Sequence, residues 1–258
     1  ILAKVNGYLI SLVFFCTIFF SVVIAGEFLN LEEDILFVSN FPESISSPGL
    51  MLDRKLTNKN ARLLYHHHNA SSQPLSIVIM AKNLADKPAS IGIYAGLGGS
   101  SKDVVFAGHT AAKNFLLQVN QPPKKVIIPP MGTLSFLTHR IKPGQTSSGI
   151  IRITNSENNN IKLIMGSVDH NYPHLSLFDD VTQGLSQFRV SKFEKSIHKE
   201  NVFFDVKHNF KVITMGGEPF LKDPILNYTL KGNYGLIYDY SIKIKNSKKT
   251  VQQISFGY

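Results

Sequence analysis

The run from Arg62 to Tyr94 reads R-L-L-Y-H-H-H-N-A-S-S-Q-P-L-S-I-V-I-M-A-K-N-L-A-D-K-P-A-S-I-G-I-Y, and its pattern decides the fold class. After Pro74, Ile77 and Ile79 alternate with Val78 and Met80 until the run breaks at Lys82-Asn83. A loop holding Asp86 and Pro88 follows, and Ile91 and Ile93 resume the alternation. Apolar, β-branched runs on either side of a short Asn/Asp/Pro segment predict an antiparallel hairpin. The same grammar recurs at Gly149-Ile-Ile-Arg-Ile-Thr-Asn155, followed by Ile161-Lys-Leu-Ile-Met165. It recurs again at Tyr240-Ser-Ile-Lys-Ile-Lys-Asn246, followed by Thr250 to Phe256. Strand-Asn-turn-strand units of this kind predict a mainly β chain, and their uneven spacing excludes a solenoid.

The first half of the quoted run carries the densest set of ligand-capable side chains. Successive strand residues point to opposite faces, so His66 and His68 share one face while Tyr65 and His67 share the other. The Cα atoms of an H-x-H pair lie about 6–7 Å apart, close enough for both imidazoles to reach one metal ion if a third ligand arrives. Asp169, His170 and His174, in the run D-H-N-Y-P-H, are the candidates for that ligand. Neutral imidazole suits zinc, copper, nickel or iron, so the pattern names a transition metal without naming which one. The competing reading has the histidines half-buried at a strand end, bonded to backbone or water, with Asn69 opening a turn. His67, Asn69 and Tyr234 are further candidate binding residues; Tyr234 stands in Gly232-Asn-Tyr-Gly235, a setting suited to a tight turn or bulge.

At 258 residues the chain can bury one large core or two modest ones. Residues 8–25 carry no charge and end in Val23-Ile-Ala25, with Lys4 ahead of them. This is the pattern of an export signal, and at about 18 residues it is also just long enough for an uncleaved anchor that would hold the chain to a membrane. The expected location is therefore exported: cell surface, periplasm or extracellular. The single cysteine, Cys16, lies inside that run, so the region beyond residue 26 can form no disulfide and must rely on its core. The absence of an initial Met and a strand pattern running to Tyr258 suggest a chain truncated at both ends.

The formal charge is +9, and a basic surface favours anionic lipid heads, wall polymers or nucleic acid. Nucleic acid is disfavoured, because the basic residues come as scattered pairs such as Lys124-Lys125 and Lys248-Lys249 without a recognition motif. Gly96 to Ser101 reads as a loop preceding one soluble helix over 102–119, in which Val104, Val105, Gly108, Ala111, Ala112, Phe115, Leu116 and Val119 recur at helical spacing. Ser100 or Ser101 is the expected N-cap. The glycines do not complete a dinucleotide or P-loop pattern. Short strands with Pro/Gly turns follow from Lys125 onward, as in a sandwich or barrel. The expected organisation is a signal or anchor over 1–26, a β module over 27–175 carrying the helix, and a second β module or the remainder of the first over 176–258.

These strand-Asn-turn-strand units resemble the immunoglobulin-like, fibronectin type III-like and CARDB-like modules of bacterial surface proteins, which implies one or two antiparallel immunoglobulin-like sandwiches. Gly49-Leu50, Arg62 to Asn69 and Gly232 to Gly235 together are similar to exported bacterial proteins linked to copper amine oxidase N-terminal-like domains, a non-catalytic accessory module. No oxidase chemistry carries over, because Tyr234 is followed by Gly where the cofactor-precursor motif needs an acidic residue.

Three functions remain in contention. The first is a non-enzymatic exported β protein binding an envelope component or a protein partner. The second is a metal-binding protein or metal-dependent enzyme built on the histidines. The third is a structural subunit anchored by its N-terminal helix. No H-E-x-x-H or G-x-S-x-G pattern occurs, and Ser196 to Lys199 fits S-x-x-K without its companion motifs. The chain has no Trp, which weakens a carbohydrate-stacking reading.

Overall fold

Alternating apolar side chains in the run around residues 61–93 become edge-to-edge strands, and the same holds along most of the chain. In the computed structural model the described residues are 2–4, 34–41, 43–56, 60–155, 160–171, 189–223, 225–248 and 250–255. The first strands are β1 (Leu2–Lys4), β2 (Ile35–Phe41), β3 (Ser44–Ile45), β4 (Gly49–Leu56), β5 (Ala61–Asn69), β6 (Leu75–Asn83) and β7 (Ala89–Ser101). The helix α1 (Val104–Gln118) is followed by β8 (Lys124–Ile128), β9 (Thr133–Ile141), β10 (Thr146–Thr154) and β11 (Ile161–Asp169). Then come β12 (Arg189–Phe193), β13 (Ile197–Asp205), β14 (Leu221–Asp223), β15 (Tyr228–Leu230) and β16 (Ile237–Lys245). Among the described residues the protein is thus mainly β with one helix. Among the described residues no helix is long and apolar enough to cross a membrane. The apolar run at 8–25 and the candidate ligand His174 lie outside them.

Two compact units result, residues 32–196 with 222–229, and residues 1–31 with 197–221 and 230–258. In the larger unit one sheet runs β12-β2-β5-β10-β7-β8, with β3 also beside β5, and another runs β4-β11-β6-β9. Odd-numbered residues of β5, β6 and β7 face inward: Leu63, Tyr65, Ile77, Ile79, Ile91 and Ile93 meet Ile151, Leu163 and Leu137 in one shared core. A smaller apolar cluster of Val78, Met80, Ile164 and Val168 lies on the opposite face of the four-stranded sheet. In the smaller unit β16 runs parallel to both β1 and β13, and Val202, Leu236, Tyr238 and Tyr240 form its core.

The expected hairpins are corrected by this topology. The strands β6 and β7 do not pair; β6 lies between β11 and β9 in one sheet, β7 between β10 and β8 in the other. The chain between them is an arch from sheet to sheet. The link from β10 to β11 is a second such arch, and residues 251–255 beyond Asn246 form no strand. Asparagine builds the first of these arches. Asn83 is buried, accepts from Ala85 N, and donates to the carbonyls of Lys87 and Pro129. Asn69, also buried, closes the crossing from β5 to β6 in the same way, accepting from Ser71 N and donating to the carbonyls of Gln73 and Ile141. Each side chain satisfies backbone groups that a sharp turn would otherwise strand away from water.

The helix begins later than its spacing predicts, with Asp103 as N-cap accepting from Val105 N and Phe106 N at 3.0 Å. The serines have other work: Ser101 Oγ accepts from Asp103 N, and Ser100 Oγ accepts from Lys142 N. Gly96 to Ser101 is the end of β7 rather than a loop. A Cβ at Gly98 would strike the carbonyl of Ala107, and one at Gly96 the backbone of Ala111 and Phe115. These glycines let α1 lie directly on the outer face of the seven-stranded sheet, its buried stripe being Ala107, Ala111 and Phe115. The strands flanking the helix, β7 and β8, are antiparallel neighbours, so no βαβ unit surrounds the glycines.

Candidate functional site

Strand β5 forms over the expected residues and pairs with β10 so that His66 faces Ser148, His67 faces Ser147 and His68 faces Thr146. Its inner face carries Tyr65, His67 and Asn69, and its outer face carries Arg62, Leu64, His66 and His68. On the outer face each imidazole meets a hydroxyl. His66 Nδ1 lies 2.6 Å from Ser148 Oγ, and His68 Nδ1 lies 3.1 Å from Thr146 Oγ1. The second ring nitrogen of His66 stands 3.6 Å from Glu43 Oε1, where both side chains are part-exposed. Burial holds the His66 pKa below its ordinary value, and the Glu43 carboxylate pulls the other way.

Two of the proposed third ligands, Asp169 and His170, stand elsewhere. Asp169 ends β11 and His170 follows it, with His170 Nδ1 bonded to Ser76 Oγ at 2.8 Å. Ser76 alternates with the inward Ile77 and so belongs to the outer face of the four-stranded sheet. Two sheets and the core therefore separate His170 from His66 and His68, since packed sheets lie about 10 Å apart. Among the described residues no group of three or more His, Cys, Asp or Glu side chains converges. Asp169 itself accepts from Asn171 N in the turn that follows β11.

The inner face holds a polar cluster that sequence reasoning missed. His67, fully buried, lies with Nε2 2.9 Å from Ser39 Oγ of β2. Tyr65 Oη is 2.5 Å from His139 Nδ1, and Ser147 Oγ is 2.9 Å from the same atom. His139 stands on β9, so this set ties the seven-stranded sheet to the four-stranded one at one end of the core. Burial pushes the Tyr65 phenol far above its usual range and the His139 imidazole below its own. Ser, His and Tyr at these distances could share a proton. Both Tyr65 and Ser147 are nevertheless shut off from solvent, so no substrate reaches the serine oxygen. Gly149, opposite Tyr65 in β10, is required here because a Cβ would collide with the Tyr65 ring. Signals for the cluster were a lone His139 in Leu137-Thr-His-Arg-Ile141 and the serines in Thr146-Ser-Ser-Gly149, but neither forms a motif.

A buried ion cluster was also missed. Asp34 accepts from Arg62 Nη2 at 2.7 Å and from Arg152 Nε at 3.0 Å, and Arg62 is fully buried with Phe115 of α1 over its guanidinium. The sequence hint was a charge set among apolar neighbours, as in Ala61-Arg-Leu63 and Ile151-Arg-Ile153.

In the smaller unit, Gly232 and Gly235 take positive φ and bracket a turn that exposes Tyr234. Asn233 is the buried anchor of that turn. It accepts from Leu221 N, donates to the carbonyls of Gly217 and Pro219, and meets Tyr238 Oη. Comparison of the whole chain with protein-family models, with curated proteins and with solved structures finds no match in any of the three.

Proposed function

We propose that the chain is an exported, non-enzymatic binding protein whose larger unit is an immunoglobulin-like β-sandwich and whose partner is an envelope component or another protein. The observation that supports this reading best is the apolar surface around the helix. Val104, Val105 and Phe106 in its first turn are 42 %, 59 % and 59 % exposed. Exposed apolar groups gathered on one element are a feature of interaction surfaces, whereas single ones scattered over a surface need no partner. His66, His68 and His170, by contrast, are each bonded to a hydroxyl within the fold, and the two serines beside histidines inside the core, Ser39 and Ser147, are both sealed. Export rests on the uncharged run at 8–25.

The test is retention of the purified chain on envelope fractions at low salt, compared with the double variant V105D/F106D. The wild type is retained, and the variant loses most of that retention while keeping its thermal midpoint. No retention of the wild type, or equal retention of the two proteins, removes the proposal.

A further inference from the structure

Arg152 sits in the middle of the outer face of the seven-stranded sheet, in register with Arg62 on one side and Tyr94 on the other. Its side chain is 7 % exposed. A guanidinium is a planar fork with five N–H donors, able to serve one partner along its Nε side and another along the edge between its two Nη groups. Asp34 occupies the Nε side, with both carboxylate oxygens 3.0 Å from Nε. The Tyr94 ring flanks the plane, its centroid 6.0 Å from the guanidinium carbon. The Nη1–Nη2 edge has no hydrogen-bond partner among the described residues, yet neither nitrogen is sealed from solvent.

A nearly buried cation with two unspent donor nitrogens is costly to maintain, and the carboxylate that holds it is shared with Arg62. We propose that this edge of Arg152 is a binding site for an oxyanion that presents two coplanar oxygens, a carboxylate or a phosphate. The fork is held in place by Asp34 and Tyr94 before any ligand arrives, so little side-chain freedom is lost on binding. Two parallel N–H···O bonds to one anionic group are the geometry in which arginine outperforms lysine. Lys125, exposed and paired with Gly92 in the adjoining strands, adds positive potential on the same face. The site stands on Arg152 and its neighbours alone, so it does not depend on export or on the apolar surface at α1.

The test uses the chain labelled with nitrogen-15 in arginine, its Arg152 side-chain signals assigned through contacts to the Tyr94 ring protons. Sodium acetate and inorganic phosphate are titrated separately at constant ionic strength, with chloride as the balancing salt. A saturable shift of the Arg152 Nη signals with acetate or phosphate, absent in chloride, supports the site, and the anion with the tighter curve tells carboxylate from phosphate. In calorimetric titration R152K weakens that binding about tenfold or more, because it keeps the charge and loses the fork. Absence of saturation with both anions, a chloride response of equal size, or unchanged affinity in R152K overturns it. The wild-type spectra decide the matter even if the variant does not fold.

Discussion

At the scale of single residues, His139 shows how burial turns an ionisable side chain into a structural one. Its imidazole bonds to Tyr65 and Ser147 while neutral, and burial lowers its pKa from the ordinary 6.5. The unfolded chain therefore takes up the proton first as the pH falls. Stability from this group is complete above about pH 6.5, declines as the pH drops from there to the lower folded-state pKa, and is level below it. His66 is shifted in the same direction and adds to the same slope. Urea midpoints measured between pH 8 and pH 5 should fall on acidification. H139Q should be less stable at pH 8, by about 1–3 kcal/mol for the lost buried bonds. It should also fall less steeply toward pH 5, and an unchanged slope would assign the pH dependence to other groups.

At the scale of elements, the arches carry the fold's connectivity. Asn69, Asn83 and Asn246 each accept from the amide two residues on and donate to the carbonyl four residues on. The first two are buried and also bond to the neighbouring chain, whereas Asn246 is exposed. N83A should thus cost about 2–4 kcal/mol, since it strands several buried backbone groups, and N246A well under about 1 kcal/mol. Chemical denaturation of the two variants checks this, and equal costs would mean that the side-chain bonds do not set the crossing. Here the limits of the sequence are plain. The alternation at 75–83 and 89–93 is enough to place two strands and to tell which side chains share a face. It does not say whether the next strand turns back beside the last one or crosses to the facing sheet, because an Asn/Asp/Pro turn serves both. What separates the two cases is the partner of the asparagine side chain, which lies 46 residues away at Pro129. The helix was legible for a related reason: its buried stripe is local, while its N-cap was missed because Ser100, Ser101 and Asp103 all have the right chemistry. His170 fails as a third metal ligand through a contact of the same long-range kind, since His66 and His68 do share a face but the sheets set His170 on the far side of the core.

At the scale of the whole molecule, two cores of unequal size stand in one chain. Each unit nevertheless uses a similar opening device: β5 runs parallel to β2 and ends in Asn69, and β16 runs parallel to β13 and is followed by Asn246. The larger core draws on both of its sheets, from Ile35 to Met165, whereas the smaller is built around Val202, Leu236, Tyr238 and Tyr240. Buried apolar area sets the free energy of each, so the smaller unit should unfold at the lower temperature. Chains with separate cores need not unfold in one step. Scanning calorimetry should show two transitions. V202A, which removes buried methyl groups at a position 5 % exposed, should lower only the first, by about 1–2 kcal/mol. L163A, at a fully buried position of the larger core, should lower only the second, by about 2–5 kcal/mol. A single transition that both variants shift equally would show that the two cores unfold as one cooperative body.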